Sequence, residues 1–242
     1  PPPYDTLVKN NLARIIGFEP NEAECEKLRQ IYTPPHQFYP AFVGRGGAAT
    51  FFETTSFHTG SLFRPNRKVG ETFTGLMETM VPVAEHQVNT VALDQLLGDE
   101  IVDYIKIDVQ GGELDVFEGA QKILQHTLVV HTEVEFVAMY EGQPLFSDVD
   151  QFMRKQGLSL VKFINMRSGP IRPLAFGGNV NNGGSQLLWS DALYMRGLVD
   201  LEQLSTEQLV RLALICHDVY HLYDLSYHLL REYDRRSNTD LL

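Results

Sequence analysis

The sequence predicts an α/β protein with a doubly wound, mostly parallel sheet and a C-terminal helical hairpin. Three observations predict it. The stretch Tyr104-Ile-Lys-Ile-Asp-Val-Gln-Gly-Gly-Glu113 passes from a β-rich run through a glycine pair into a helix, the punctuation of such a sheet. Strand and helix patterns alternate across residues 13 to 164. From Ser205 to about Arg236 only helical spacing remains, with Leu209, Leu212, Cys216, Val219 and Tyr223 in phase.

In chain order, Pro1-Pro2-Pro3-Tyr4 is an extended lead-in, and Asp5 or Thr6 is placed to cap a short helix through Asn10. Ala13 to Phe18 reads as a buried strand ending at Glu19. Asn21 then caps a helix to about Tyr32, whose apolar positions Ala23, Leu28 and Ile31 leave its other face to solvent. Gln37 to Val43 and Ala48 to Ser56 read as strands, separated by Gly44-Arg45-Gly46-Gly47. Residues 57 to 75 form a loop rich in Gly, Pro, Arg and Ser, and Val81 to Val91 is extended again. A short helix at Leu93 to Leu97 precedes the Tyr104 strand. The helix from Glu113 to about His126 carries Leu114, Phe117, Ala120, Ile123 and Leu124 on one stripe. Leu128 to Phe136 is a strand with His131, Glu133 and Glu135 on one side. A helix from Asp148 to Gln156, a strand from Leu158 to Ile164, a glycine-rich loop from Gly177 to Gly184 and a last strand within Gln186 to Arg196 follow. Ser205 and Gln208 have the spacing of a capping box that opens the C-terminal hairpin.

The composition bounds function. The 242 residues are 43% apolar, enough for one sizeable core with an appendage. A net charge of −11, with no Lys/Arg cluster, argues against electrostatic binding to nucleic acid or to an anionic membrane. No stretch approaches the ~18 apolar residues of a membrane helix. Two distant cysteines, Cys25 and Cys216, read as reduced thiols of a cytoplasmic protein.

Chemistry is expected where strands end. Asp108 and Gln110 lie just past a strand's carboxyl end, where ligands bind in α/β sheets, and Gly111-Gly112 allows close approach. Asp108 can accept a proton, orient a hydroxyl or hold a divalent ion; its alternative is to cap the next helix. Glu133 and Glu135 could join Asp108 around one cleft, a set that suits Mg²⁺ or a general base, or they could face solvent or pair with Arg. His131 shares their face, as a base or as a buried, hydrogen-bonded histidine. Glu19, at an early strand end, can accept both hydroxyls of a ribose or favour the following helix dipole. His217 and His221 have the i, i+4 spacing of zinc ligands, but Asp218 stands where a zinc protease has glutamate. Asp148-Val-Asp150 looks like a glycosyltransferase metal dyad, yet it opens a helix and reads better as a cap.

Taken together, Ile16-Gly-Phe-Glu-Pro-Asn21, Ser61-Leu-Phe63, Val88-Asn-Thr-Val-Ala-Leu-Asp94, Ile105-Lys-Ile-Asp-Val-Gln-Gly-Gly-Glu113, Thr132-Glu-Val-Glu-Phe136 and Ser185-Gln-Leu-Leu-Trp-Ser-Asp191 resemble the FkbM-type S-adenosylmethionine-dependent methyltransferases. The resemblance covers roughly residues 13 to 196, and its ordered combination is more specific than any one piece. It implies a Rossmann-like fold of the class I methyltransferase type in residues 1–199, with residues 200–242 as a helical extension. It implies O-methylation of a hydroxyl on a sugar, polyketide or related small molecule, with S-adenosylmethionine as cofactor. Carried over by position, Phe18 and Glu19 would hold the cofactor ribose and Val43 and Gly44 would lie near its adenine. Ser61 would belong to a loop over the site. Asp108 and Gln110 would face the methyl group and the acceptor hydroxyl. Asp108 is the first choice for base or metal ligand, with Glu133 second. The family's first strand and Asp-x-Gly-Ala-Asn loop are expected upstream of Pro1. Arg45 stands where an acidic residue is common, and Gln110 where Glu is frequent. A metal is left unassigned, with Mg²⁺ kept open, as is a homodimer. The alternative function is a non-catalytic scaffold or binding module that keeps the fold without the chemistry.

Overall fold

A computed structural model describes residues 2–177 and 183–240. By contact the chain forms two units. One holds the residues up to Phe42 and from Arg196 onward; the other runs from Val43 to Met195.

The first unit opens with helix α1 (Asp5–Lys9). Tyr4 occupies its cap position and makes no side-chain cap bond. Asp5 lies in the first turn instead, where its charge favours the helix dipole, and it pairs with Lys9 at 2.5 Å. Strand β1 (Ile16–Phe18), helix α2 (Glu22–Ile31) and strand β2 (Gln37–Tyr39) then form a β-α-β unit with parallel strands. Asn21 caps α2 as its sequence position predicts, its side chain accepting from the Ala23 and Glu24 N–H groups at 3.0 and 3.2 Å. The expected strand from Gln37 to Val43 is broken at Pro40, which has no N–H to offer a ladder, and resumes as β3 (Phe42–Val43).

In the second unit β4 (Gly47–Thr54) is followed by a turn of 3₁₀ helix at Phe57–Thr59, then α3 (Arg67–Thr72), α4 (Leu76–Thr79), β5 (Pro82–Val91) and α5 (Leu93–Leu97). Next come β6 (Tyr104–Ile107), α6 (Glu113–Glu118), α7 (Gln121–Leu124) and β7 (Val129–Glu135). Helix α8 (Phe146–Lys155) and the long strands β8 (Leu158–Gly169) and β9 (Gln186–Arg196) complete it. Residues 178–182 of the glycine-rich loop lie outside the described residues.

The sequence predicts one doubly wound, mostly parallel sheet; the strands form three sheets of mixed direction. Besides β1–β2 there is a three-stranded sheet in the order β3-β5-β4 and a four-stranded one in the order β6-β7-β9-β8. Within these, β6 and β7 are parallel, whereas β4–β5 and β7–β9 are antiparallel. An apolar β-branched run has the same periodicity whichever way it points, so residue patterning sets strand existence but not direction. Strand β7 is buried along its whole length between β6 and β9 and forms the centre of the four-stranded sheet.

The helix expected from Glu113 to His126 is two helices. At the break, Gly119 packs directly on the Gly44 turn. A Cβ there would stand 2.2 Å from the Gly44 carbonyl oxygen. Asp94 fixes both sides of the break: its N–H donates to Gly119 O, and its carboxylate accepts from Lys122 and Ile123 N–H at 2.9 and 3.1 Å. Asp94 thereby caps α7.

Back in the first unit, α9 (Thr206–Leu214) starts at the predicted capping box: Ser205 Oγ accepts from Gln208 N–H at 3.1 Å and Gln208 Oε1 from Ser205 N–H at 2.9 Å. A π-helical turn at Ile215–Val219 follows, then α10 (Tyr223–Ser237). Leu209, Leu212, Cys216 and Leu229 are buried among these helices, and Ser226 donates to the Ala213 carbonyl. Among the described residues no helix is long and apolar enough to cross a membrane.

Candidate functional site

The polar cluster of the second unit gathers where β6 ends. In the parallel register of β6 and β7, Lys106 lies beside His131 and Ile107 beside Thr132. One step further the chain leaves the strand at Asp108, with Glu133 on the neighbouring β7. Gln110 then adopts φ +58, a left-handed backbone that costs a non-glycine residue about 1–2 kcal/mol. That turn sets its side chain between the acids. Gln110 Nε2 donates to Asp108 Oδ1 at 2.6 Å and to Glu133 Oε2 at 3.0 Å. Gly111 follows at φ +89, and a Cβ there would stand 3.1 Å from both Tyr140 and Gln143.

Two further segments close on Gln110, and α6 on its neighbour Val109. Ser61 Oγ donates to the Gln110 carbonyl at 2.6 Å and accepts from Phe63 N–H. The Tyr140 hydroxyl reaches Gln110 Oε1 at 3.1 Å and Thr59 O at 3.0 Å. Glu113 Oε1 takes the Val109 N–H at 2.8 Å, and Gln143 Oε1 takes the Tyr140 N–H at 2.6 Å. Ser61 and Tyr140 are 1% exposed and Glu135 2%, whereas Asp108 is exposed. The result is one solvent-facing carboxylate backed by a buried polar network.

Electrostatics follow from that burial. Glu133 is pushed up to about 9 from 4.5, first by burial, then by the charges of Asp108, Glu113 and Asp191. Burial raises Glu113 to about 7, against the pull of backbone N–H groups from Val109, Gly111 and its own residue. Glu135 is raised well above the usual carboxylate range, again by burial first. Burial also raises the Tyr140 phenol, which therefore stays a hydroxyl donor.

Because these folded-state values lie above the unfolded one, the folded protein binds protons that the unfolded chain releases. The associated stability is complete below about pH 4.5 and is lost as pH rises through about 7 and then about 9. Melting followed by circular dichroism should therefore give a Tm that falls between pH 6 and 9.5. Glu133→Gln, a neutral isostere, should flatten the upper part of that decline; parallel curves for the two proteins would refute this assignment.

Oxygens of Asp108, Glu113 and Glu133 all lie within 4.8 Å of one another. Protein donors already engage one oxygen of each, and carboxylates so grouped are no evidence of an ion; the structure gives Mg²⁺ no support.

The other residues singled out by sequence divide clearly. Ser61 does join Gln110, through a hydroxyl bonded to protein on both sides. Glu19 ends β1; its Oε1 accepts from Asn21 N–H at 2.8 Å, and Phe18 stacks on Tyr39 with ring centroids 5.8 Å apart. Gly44 donates its N–H to Val91 O. Arg45 is tied to α6, through Asp115 at 2.8 Å and Glu118 at 2.6 Å. His131 is buried on β7, its Nε2 3.6 Å from Asp191. Asp148 caps α8 by accepting from Leu145 N–H, and Asp150 pairs with Arg154. His217 and His221 are exposed, with His217 Nδ1 on Asp218. Tyr140, Gln143 and Thr59 are absent from the sequence prediction. They sit in segments without periodicity, and only Gly142, a turn residue beside them, hints at a fixed conformation.

The site is a strand-end carboxylate backed by buried acids in a unit of mixed α/β structure. The family model described as Methyltransferase FkbM domain matches residues 3–160, and the chain belongs to that family. No curated protein matches the chain. Five of the six sequence landmarks fall inside the matched range, and Ser185–Asp191 lies beyond it.

Proposed function

We propose that the protein is an S-adenosylmethionine-dependent O-methyltransferase acting on a hydroxyl of a small metabolite such as a sugar or polyketide. Family membership supports methyl transfer in general. The observation that carries the finer reading is the Asp108–Gln110–Glu133 bridge: one exposed carboxylate held in place beside two buried acids.

The cofactor, when bound, supplies an electrophilic methyl group. The chain's own residues handle alignment and the proton. Asp108 is the base: its exposed carboxylate accepts the hydroxyl proton as the oxygen–carbon bond forms. Gln110 holds Asp108 by an amide donor, so the carboxylate is oriented before the acceptor arrives, and such alignment can be worth about 7–11 kcal/mol in favourable cases. Buried Glu133 retains its own proton at neutral pH, which leaves the exposed Asp108 to take the proton of the acceptor. Ser61 fixes the Gln110 backbone and the 59–61 segment beside it. Glu19 fits the ribose role within its own unit. It stands at the end of a parallel strand, and its Oε2 has no protein partner among the described residues once Oε1 is bound to Asn21.

Calorimetry of the full-length protein with S-adenosylhomocysteine tests the reading, together with transfer of labelled methyl from the cofactor to a panel of hydroxylated small molecules. One saturable site and hydroxyl-dependent labelling are expected. No binding by the full-length protein would overturn it in favour of a scaffold.

A further inference from the structure

We propose that Asp191 selects the acceptor: its carboxylate binds a second hydroxyl, on the far side of the molecule from the one that Asp108 deprotonates, so that acceptors with two or more hydroxyls are preferred. The inference rests on the methyl-transfer reading for the reaction itself. It adds a residue that lies beyond the range matched by the family model.

The strand register carries it. Glu133 on β7 pairs with Asp191 on β9, and Asp108 follows one step past the pairing of Ile107 with Thr132. Residues paired across a sheet share a face, so Glu133 and Asp191 point the same way. Gln110, bonded to both Asp108 and Glu133, joins the third acid to them. The three form a row across β6, β7 and β9, which are neighbours in the sheet. Two strand spacings separate the Asp108 and Asp191 backbones by about 10 Å. Glu133, in the middle, is buried and already takes the Gln110 amide. The ends differ from it: Asp108 is exposed, and the Asp191 side chain keeps 27% of its surface open. A small molecule lying along the row therefore reaches a carboxylate at each end.

Asp191 is held in place without being saturated. One oxygen lies 3.6 Å from His131 Nε2 and the other 3.5 Å from Asn165 Nδ2, both at or beyond the limit of a good hydrogen bond. A carboxylate offers about four acceptor positions, so room remains for a hydroxyl donor. Asn165 is aimed by a left-handed turn at φ +55, directly after Ile164, whose carbonyl accepts from Ser190 Oγ at 2.9 Å. Burial opposes the charge on Asp191, yet His131, Asn165 and the exposed Lys106 outweigh it and hold this carboxyl below its usual range. The sheet thus keeps a half-open hydrogen-bond acceptor beside the proposed base. A hydroxyl satisfies it. An apolar edge laid there would cover a charge and bring no donor, which is unfavourable. The row therefore discriminates between an acceptor with hydroxyls at both ends and one with a single hydroxyl on an apolar skeleton.

The test compares cyclohexanol, cyclohexane-1,4-diol and myo-inositol, which share a ring and differ in hydroxyl number. Each is offered to the full chain as acceptor of labelled methyl, and each is titrated by calorimetry into the protein loaded with S-adenosylhomocysteine. Wild type should prefer the compounds with several hydroxyls by about tenfold, the scale of one hydrogen bond to a charged group. Asp191→Asn keeps the shape and loses the charge. It should bring that preference within about threefold of none, with cyclohexanol and S-adenosylhomocysteine changed by no more than about twofold. If Asp191 served only as a partner for buried His131, the variant would lower Tm and weaken all three compounds equally. That uniform loss, an undiminished preference in Asp191→Asn, or no preference in wild type overturns the proposal. If Asp191→Asn fails to fold, Asn165→Ala at its exposed position decides: the preference should shrink about threefold, and an unchanged one overturns it. An Asp191-dependent preference in a protein that transfers no methyl group would sink the function reading alone. Methyl transfer whose selectivity ignores Asp191 would sink this inference alone.

Discussion

Replacing Asp108 by asparagine is expected to lower methyl transfer by about 10²–10³-fold while leaving affinity for S-adenosylhomocysteine within about twofold. Asparagine keeps the shape and an oxygen that can accept from Gln110 Nε2, so the 2.6 Å contact and the turn behind it survive. What it loses is the ability to take a proton. Asp108 is the exposed acid of the cluster, whereas Glu113 and Glu133 are buried and protonate far more readily than ordinary carboxylates. A neighbour cannot substitute, because Glu133 at about 9 is already protonated at neutral pH. A second signature follows. The Asp108 charge is the largest cause after burial that raises Glu133, so the Glu133 midpoint should drop in the variant. Single-turnover rates with saturating cofactor, measured beside calorimetry, separate the outcomes. A rate within threefold of wild type would remove Asp108 from the chemistry; a large loss of affinity would make it a binding residue instead.

How much of this was legible from residues alone depends on the range of the interaction. Asn21, Ser205 and Gln208 cap helices as their spacing predicts, because capping is settled within three residues. The strand–turn–helix at Tyr104–Glu113 was equally readable, and with it the placement of Asp108 and Gln110. Sheet direction was not. The antiparallel pairings of β4 with β5 and of β7 with β9 are decided by partners distant in sequence. The same holds for Tyr140, which meets Gln110 across 30 positions and Thr59 across 81. No local pattern marks such a tyrosine. Arg45, which stands where the family commonly has an acidic residue, pairs with Asp115 and Glu118 of α6, partners that no local pattern marks. Landmark Asp94 proves to be architectural for a similar reason, since the two amides it caps lie 28 and 29 residues away.

That distinction between motif and architecture predicts which glycine is indispensable. Gly119→Ala should destabilise the fold by about 3 kcal/mol, at the upper end for overpacking. The added Cβ would lie 2.2 Å from the Gly44 carbonyl oxygen and 3.3 Å from Ala92 Cα, both backbone atoms that no rotamer change can clear. Gly119 has φ −82, so the loss is steric and not conformational. Relief requires α6 and α7 to move off the Gly44 turn. That movement also strains the Gly119–Asp94 hydrogen bond and the cap on α7. Gly112, although it belongs to the glycine pair of the landmark motif, should behave differently. Its φ is −96 and a Cβ there meets the Val109 side chain at 3.5 Å and the Val109 carbonyl oxygen at 3.7 Å, both ordinary contacts. Gly112→Ala should therefore cost no more than about 1 kcal/mol, the usual loss at a helix cap position. Urea unfolding of the two variants side by side measures the difference. Equal midpoints would mean that the close approach of Gly119 to Gly44 does not exist in solution.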